Sequence, residues 1–209
     1  MKILYIKARK KIKLNKEKLA ELEKILPDII SIAYSIQYEK LAEEVRNELA
    51  KNKRIKILGF SQILGCSEIK TGSSILLISS GRFHALNLAL SSGREIIVFD
   101  NFSISKITRQ EIGKEKQKQK GKYLKFLASD NIGIIVSSKY GQENLKLACR
   151  LKKKLISKGK AVNIFLADNI NLQELENFPC EIFINTACPG LSLDSSKIIN
   201  HNQLELYSA

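Results

Sequence analysis

The chain has no Trp, one Met, two His, three Pro and four Cys among 209 residues, and aromatic side chains make up only 7% of it. So little Pro, with only 11 Gly, excludes collagen-like and linker-dominated chains, and a 44% hydrophobic content excludes wholesale disorder. Four cysteines without a CxxC pair are too few for a disulfide scaffold, so each is expected as a reduced thiol and is judged by its context. No apolar run approaches the roughly 20 residues that a bilayer-spanning helix needs. The N-terminal MKILYIKARKK turns basic too soon for a secretory signal. A cytoplasmic chain without membrane contact is expected, and its length suits one or two domains with sizeable cores.

Acidic residues are also scarce. Against 35 Lys and Arg stand 21 Asp and Glu, for a formal charge of +14. Such an excess suggests a nucleic-acid partner, because Lys and Arg displace counterions condensed on phosphates. The detail points elsewhere. Lys outnumbers Arg 28 to 7 and Ile reaches 29, which reads as a broad solvated surface in a Lys- and Ile-rich chain. The aromatic strand motifs and the GXXG loop of common RNA-binding modules are missing. Nucleic acid is therefore the least favoured partner, and the Lys-rich run at 114 to 125 is a candidate dock for an acidic protein.

What the chain does have is an alternation of apolar runs and helical patterns. Strand candidates fall at 3–6, 29–34, 55–58, 74–79, 95–99, 133–137, 162–167 and 181–186, each rich in Ile, Leu and Val. Runs this uniformly apolar are expected to be covered on both faces, as in parallel sheets. Helical patterns lie between them at 15–26, 38–52, 83–92 and 142–158, the signature of repeated βαβ units. A charged stretch at 105–129 interrupts the alternation and reads as an exposed helix joining two sheets. The expected fold is α/β: two tandem lobes, 1–104 and 105–209, with mostly parallel sheets flanked by helices.

In such sheets ligands gather beyond the carboxyl ends of the strands. Four unusual segments stand there: GFSQILGCS with Cys66, SGRFH with Gly81, Arg82 and His84, SKYGQ with Lys139, Gly141 and Gln142, and ACPGLSLD with Cys188. Gly65 beside Cys66 and Pro189 after Cys188 would hold each thiol at a loop apex, which suits a metal or cluster ligand. The alternative is a small buried hydrophobe beside a turn. Arg82 offers a charge for a carboxylate, or His84 caps its helix while Phe83 packs into the core. Lys139 and Gln142 line a ligand cleft or sit in a solvated turn. Cys149 lies in a helical pattern, Cys180 follows Pro179 before a strand, and His201 falls in a polar tail expected to face solvent.

Taken together and in order, these segments resemble diphthamide synthase, the 2-(3-amino-3-carboxypropyl)histidine synthase family of archaeal type. The matching pieces are Gln37 in AYSIQYEKLAEE, GFSQILGC ending at Cys66, SSGRFHALNLAL, the VFD at 98–100, GIIVSSKYGQ, and FINTACPGLSLD with Cys188. The resemblance implies three α/β lobes that each give one cysteine to a [4Fe-4S] cluster, of which this sequence matches the second and third. By the same resemblance Cys66 and Cys188 are cluster ligands, and Gly81, Arg82, His84, Lys139 and Gln142 contact S-adenosylmethionine. Cys149 and Cys180 match no ligand motif.

The resemblance further implies transfer of the 3-amino-3-carboxypropyl group of S-adenosylmethionine to a histidine of elongation factor 2 by iron–sulfur radical chemistry. The acceptor histidine belongs to the partner, so neither His84 nor His201 is needed as the target. A separate chain is expected to supply the first lobe and the third cysteine, as in a split enzyme, within a homo- or hetero-oligomer. The alternative is a non-catalytic partner subunit or degenerate remnant of the family, and a quinolinate synthase-like enzyme fits less well. One departure stands out: the family commonly continues ACP with Arg, where this chain has Gly190. Asp194 keeps the acidic position after the motif.

Overall fold

The computed structural model describes the chain apart from residues 1–3, 5, 7, 65–68, 70, 194 and 207–209 and the side chains of 205 and 206. The first unit, 1–113, opens with α1 (Lys16–Ile25), β1 (Ile29–Tyr34), a 3-10 turn (Ile36–Tyr38), α2 (Glu39–Leu49) and β2 (Lys56–Gln62). It continues with β3 (Ser74–Ile78), α3 (Arg82–Ser92), β4 (Ile96–Phe99) and β5 (Ile104–Ile107). Its sheet runs β2-β1-β3-β4-β5, parallel except for the last pair. Strand alternation sends Ile30, Ile32, Leu76, Ile78, Ile97 and Phe99 to one face, against α1 and α2. Ala33, Ile75, Leu77, Ile96 and Val98 go to the other, against Ala85, Leu88 and Ala89 of α3. Both faces are thus buried, as the unbroken apolar runs require.

The helix α4 (Arg109–Ala128) runs across the boundary between the units. Thr108 and Glu111 form a reciprocal cap at its start: Thr108 N donates to Glu111 Oε2 at 2.9 Å and Glu111 N donates to Thr108 Oγ1 at 3.3 Å. The units divide after Gly113, not after residue 104. The reason is β5, which pairs antiparallel with β4 through Ile104 and Ile107 and so belongs to the first sheet.

The second unit, 114–209, holds β6 (Asn131–Ser137), α5 (Leu145–Ile156), β7 (Ala161–Ala167), the short α6 (Leu172–Leu175) and β8 (Ile182–Asn185). A 3-10 turn (Pro189–Ser192), β9 (Ile198–Asn200) and α7 (His201–Leu206) complete it. Its sheet runs β7-β6-β8-β9, parallel throughout. Ile132, Ile134, Val136, Ile182 and Ile184 pack against Ala148 and Leu155 on one face, and Ile135 and Phe183 pack with Cys180 on the other. The candidate strand at 3–6 falls largely outside the described residues, and Leu4 and Ile6 within it are exposed. Among the described residues no helix is long and apolar enough to cross a membrane.

Candidate functional site

Both sheets reverse their winding direction once. In the first unit the chain moves from β1 outward to β2, then returns to place β3 on the opposite side of β1. The crevice beyond the carboxyl ends of β1 and β3 is therefore the expected ligand position. Ser35 N donates to Ile78 O at 3.2 Å and Ser79 Oγ donates to Ser35 Oγ at 3.1 Å, so short polar residues floor it. Gly81 follows with φ 93°, a backbone that side-chain-bearing residues rarely adopt, and serves as N-cap of α3. Arg82 begins that helix and is ion-paired with Glu111, the capping residue of α4. His84 occupies the third helical position with its ring 5.5 Å from that of Phe83, edge to face. Cys66 lies outside the described residues.

The second unit repeats the arrangement, with the reversal between β6 and β8. Thr186 closes this crevice by donating to Ile135 O from both its backbone N, at 3.0 Å, and its hydroxyl, at 2.8 Å. Cys188 comes two residues later, free and half-buried, at the N-cap of the Pro189–Ser192 turn. Lys139 and Gln142 follow β6 on the neighbouring turn. Lys139 Nζ is held by Asn169 Oδ1 at 2.6 Å, Gln142 is exposed, and Gly141 has φ 78°. Within each unit the sequence-predicted residues thus stand at the carboxyl end of their own sheet.

A polar network surrounds the Cys188 loop. Asn185 Nδ2 donates to Cys188 O at 2.8 Å and to Asn200 Oδ1 at 2.7 Å, while its Oδ1 accepts from Ala187 N at 3.0 Å. Asn200 Nδ2 donates to Pro189 O at 3.1 Å and to Ser192 Oγ at 2.8 Å. Gln203 Oε1 accepts from Asn200 N at 3.1 Å, and Lys122 Nζ donates to Ser192 O. Asn185, Asn200, Gln203, Ser192 and Lys122 are all buried.

These supporting residues were not singled out by sequence. The sequence sends His201, within the polar tail at 200–203, to solvent; in the structure Asn202 is exposed, but Asn200 and Gln203 on either side are buried because the carbonyls and backbone N–H of the turn need partners there. His201 is half-buried, its Nδ1 3.4 Å from Asn185 O. Lys122 likewise leaves the solvated Lys run of α4, whose Lys114, Lys116, Lys118, Lys120 and Lys125 stay exposed. The only sequence signal was an Asn closing each of two short apolar strands.

Donor chemistry separates the three thiols among the described residues. Cys180 is buried in an apolar cluster, and burial pushes its thiol pKa up, away from the thiolate that binds metals. Cys149 is exposed on α5. Among the described residues no three His, Cys, Asp or Glu side chains gather to hold a metal ion. Cys188, half-buried on a loop with a fixed backbone, has the chemistry of one cluster ligand and no more.

Comparisons with known proteins give the family and the fold. Residues 1–201 match the family model described as putative diphthamide synthesis protein. The 2-(3-amino-3-carboxypropyl)histidine synthase of Pyrococcus horikoshii is 33% identical over 138 residues, 64% of this chain and 40% of that protein. The synthase of the same name from Methanocaldococcus jannaschii is 29% identical over 83% of this chain and 52% of its own length. The crystal structure of Dph2 from Pyrococcus horikoshii with a 4Fe-4S cluster superposes with a TM-score of 0.76 at 27% identity, covering 91% of this chain and 60% of that one. The chain spans about half the length of the curated relatives it matches. With a family model matched along nearly its whole length and the same fold as a solved relative, the chain belongs to the diphthamide synthesis family.

Proposed function

We propose that this chain is the part of a diphthamide synthase that carries the second and third lobes, and that it contributes to transfer of the 3-amino-3-carboxypropyl group of S-adenosylmethionine to a histidine of elongation factor 2. The observation that carries this reading is Cys188: a free thiol just past the central strand of a parallel sheet, at the winding reversal, in a chain of this family. Cys66 occupies the matching motif of the first unit. Together they supply two thiolates, and a further chain provides the third.

When bound, a [4Fe-4S] cluster with three thiolate ligands supplies an open iron and an electron for cleaving S-adenosylmethionine. The chain's own residues do the rest. Cys66 and Cys188 would each supply one thiolate to the cluster. Arg82 exchanges Glu111 for the carboxylate of the cofactor, a trade that costs little because the Arg82 side chain is 62% exposed and the pair is solvated. Gly81 opens the N-terminus of α3 toward the ligand without a Cβ, and His84, Lys139 and Gln142 add polar contacts. Gly190 leaves the positive charge for the carboxylate to Arg82. The exposed lysines of α4 attract an acidic elongation factor.

Anaerobic co-expression with a chain bearing the missing cysteine motif tests this. A brown complex is expected, with its visible absorption and iron content lost in Cys66→Ala and in Cys188→Ala. Full cluster occupancy in both variants would overturn the assignment. A complex that assembles but never binds iron would favour a non-catalytic subunit of the same family.

A further inference from the structure

Burying two carboxamides at the ends of adjacent strands is costly unless every polar atom is partnered. Asn185 is 1% exposed and Asn200 8%. Both N–H bonds of each amide are used, on Cys188 O and Asn200 Oδ1 for Asn185 and on Pro189 O and Ser192 Oγ for Asn200. Each Oδ1 is also occupied, by Ala187 N and by Asn185 Nδ2. The opposite amide orientations are excluded, since they would turn Oδ1 atoms onto the carbonyls of Cys188 and Pro189. An apolar pair would fill the same space without this accounting. The network instead does one specific thing: it pins the carbonyls on both sides of the bond joining Cys188 to Pro189.

We infer that Asn185 and Asn200 are positioning residues that aim the Cys188 thiol before any metal arrives. Cys188 has φ −63° and ψ 123°, and the Pro189 ring fixes the next φ. With both flanking carbonyls tied to the ends of β8 and β9, the direction of the Cα–Cβ bond is set, and rotation about χ1 is the freedom that remains. Lys122 holds the far end of the turn through Ser192 O. A preset ligand direction lowers the ordering cost of metal capture, the usual role of groups that orient a ligand from behind. The inference rests on reading Cys188 as a cluster ligand, but its first readout does not.

In the full-length metal-free chain, alkylation of each cysteine by iodoacetamide is followed by mass spectrometry in wild type and in Asn200→Ala. Cys188 should react at least about tenfold faster in the variant, with buried Cys180 still protected, because a freed loop exposes a residue that is half-buried now. An unchanged Cys188 rate overturns the inference, as does an equal acceleration of buried Cys180, which would mark Asn200 as a residue of general stability. Should Asn200→Ala fail to fold, Asn200→Asp keeps the size and the acceptor for Asn185 but loses both donors, and is tested where the thiol is fully ionised. In the reconstituted complex, loss of iron to a chelator should be roughly ten- to a hundredfold faster in either variant. If wild type takes up no iron while Cys188 is still freed in Asn200→Ala, the positioning role stands and the cluster reading falls.

Discussion

Gly133 is the residue whose replacement most sharply tests how the second sheet carries the Cys188 loop. It sits in β6 opposite Phe183 of β8. A Cβ added there would lie 2.2 Å from Phe183 Cδ1, 2.5 Å from Cε1 and 3.1 Å from Phe165 Cε2, where ordinary contact begins at 3.4 Å. The Phe183 ring must therefore retreat by more than an ångström. It is 2% exposed and packed edge to face on Phe165 at 5.6 Å, so its retreat disturbs that packing. Overpacking of this kind costs about 1–3 kcal/mol. Replacing Gly in a strand also restricts the unfolded chain, which returns about 0.4–1 kcal/mol. A net loss of about 1–2 kcal/mol is expected for Gly133→Ala, read by urea titration with hydrogen exchange on peptides covering β6 and β8. Adding Phe183→Leu should recover part of the loss, with a coupling above about 0.5 kcal/mol. Stabilisation by Gly133→Ala, or strict additivity in the double variant, would refute the packing argument.

Asn101, buried with φ 82°, accepts from Asn15 N at 2.8 Å and donates to Lys13 O at 3.1 Å. Asn101→Ala should destabilise the first unit by about 1–3 kcal/mol in denaturant unfolding, since it strands buried backbone groups and strains the turn. Cys180 should resist alkylation at neutral pH while exposed Cys149 reacts readily, because burial raises the Cys180 pKa and leaves less thiolate. Glu95 has its carboxyl held below the ordinary range, first by the Lys106 hydrogen bond and then by Arg109 N. A depressed folded value means that this contribution is complete above the unfolded pKa and fades as pH falls through the folded one, so Lys106→Met should move the Glu95 titration upward in NMR. Reversing the charge of Lys114, Lys116 and Lys120 should slow association with elongation factor 2 and flatten its salt dependence while leaving cluster content intact; an unchanged rate would exclude this patch.

The parallel core was legible in the sequence because doubly covered strands are written as unbroken apolar runs. β1, β3, β4, β6, β7 and β8 lie within a residue or two of the expected positions. Two strands escaped notice. β5 reads ISKI, with apolar residues three apart in a charged stretch, a helical spacing, and it is a strand because β4 pairs with it. β9 is three residues long and exists only through β8. The placement of the motif-bearing loops was legible, since Gly81, Arg82, His84, Lys139, Gln142 and Cys188 all follow strands of their own sheets. Their support was not. Asn200 and Gln203 look like tail residues in a linear reading and Asn185 like the end of an apolar strand, and their burial follows from where the carbonyls of the Cys188 turn point. Glu111, in turn, shows that a sequence-predicted ligand such as Arg82 has a protein partner in the free chain.

We propose that this chain contributes two thiolates to a diphthamide synthase. It is tested most directly by incubating the reconstituted complex with S-adenosylmethionine, a reductant and elongation factor 2 under anaerobic conditions, then weighing the factor's histidine-bearing peptide. A gain equal to one 3-amino-3-carboxypropyl group is expected, abolished in Cys66→Ala and Cys188→Ala. No gain from a complex with an intact cluster, or a gain that survives loss of Cys188, would contradict it.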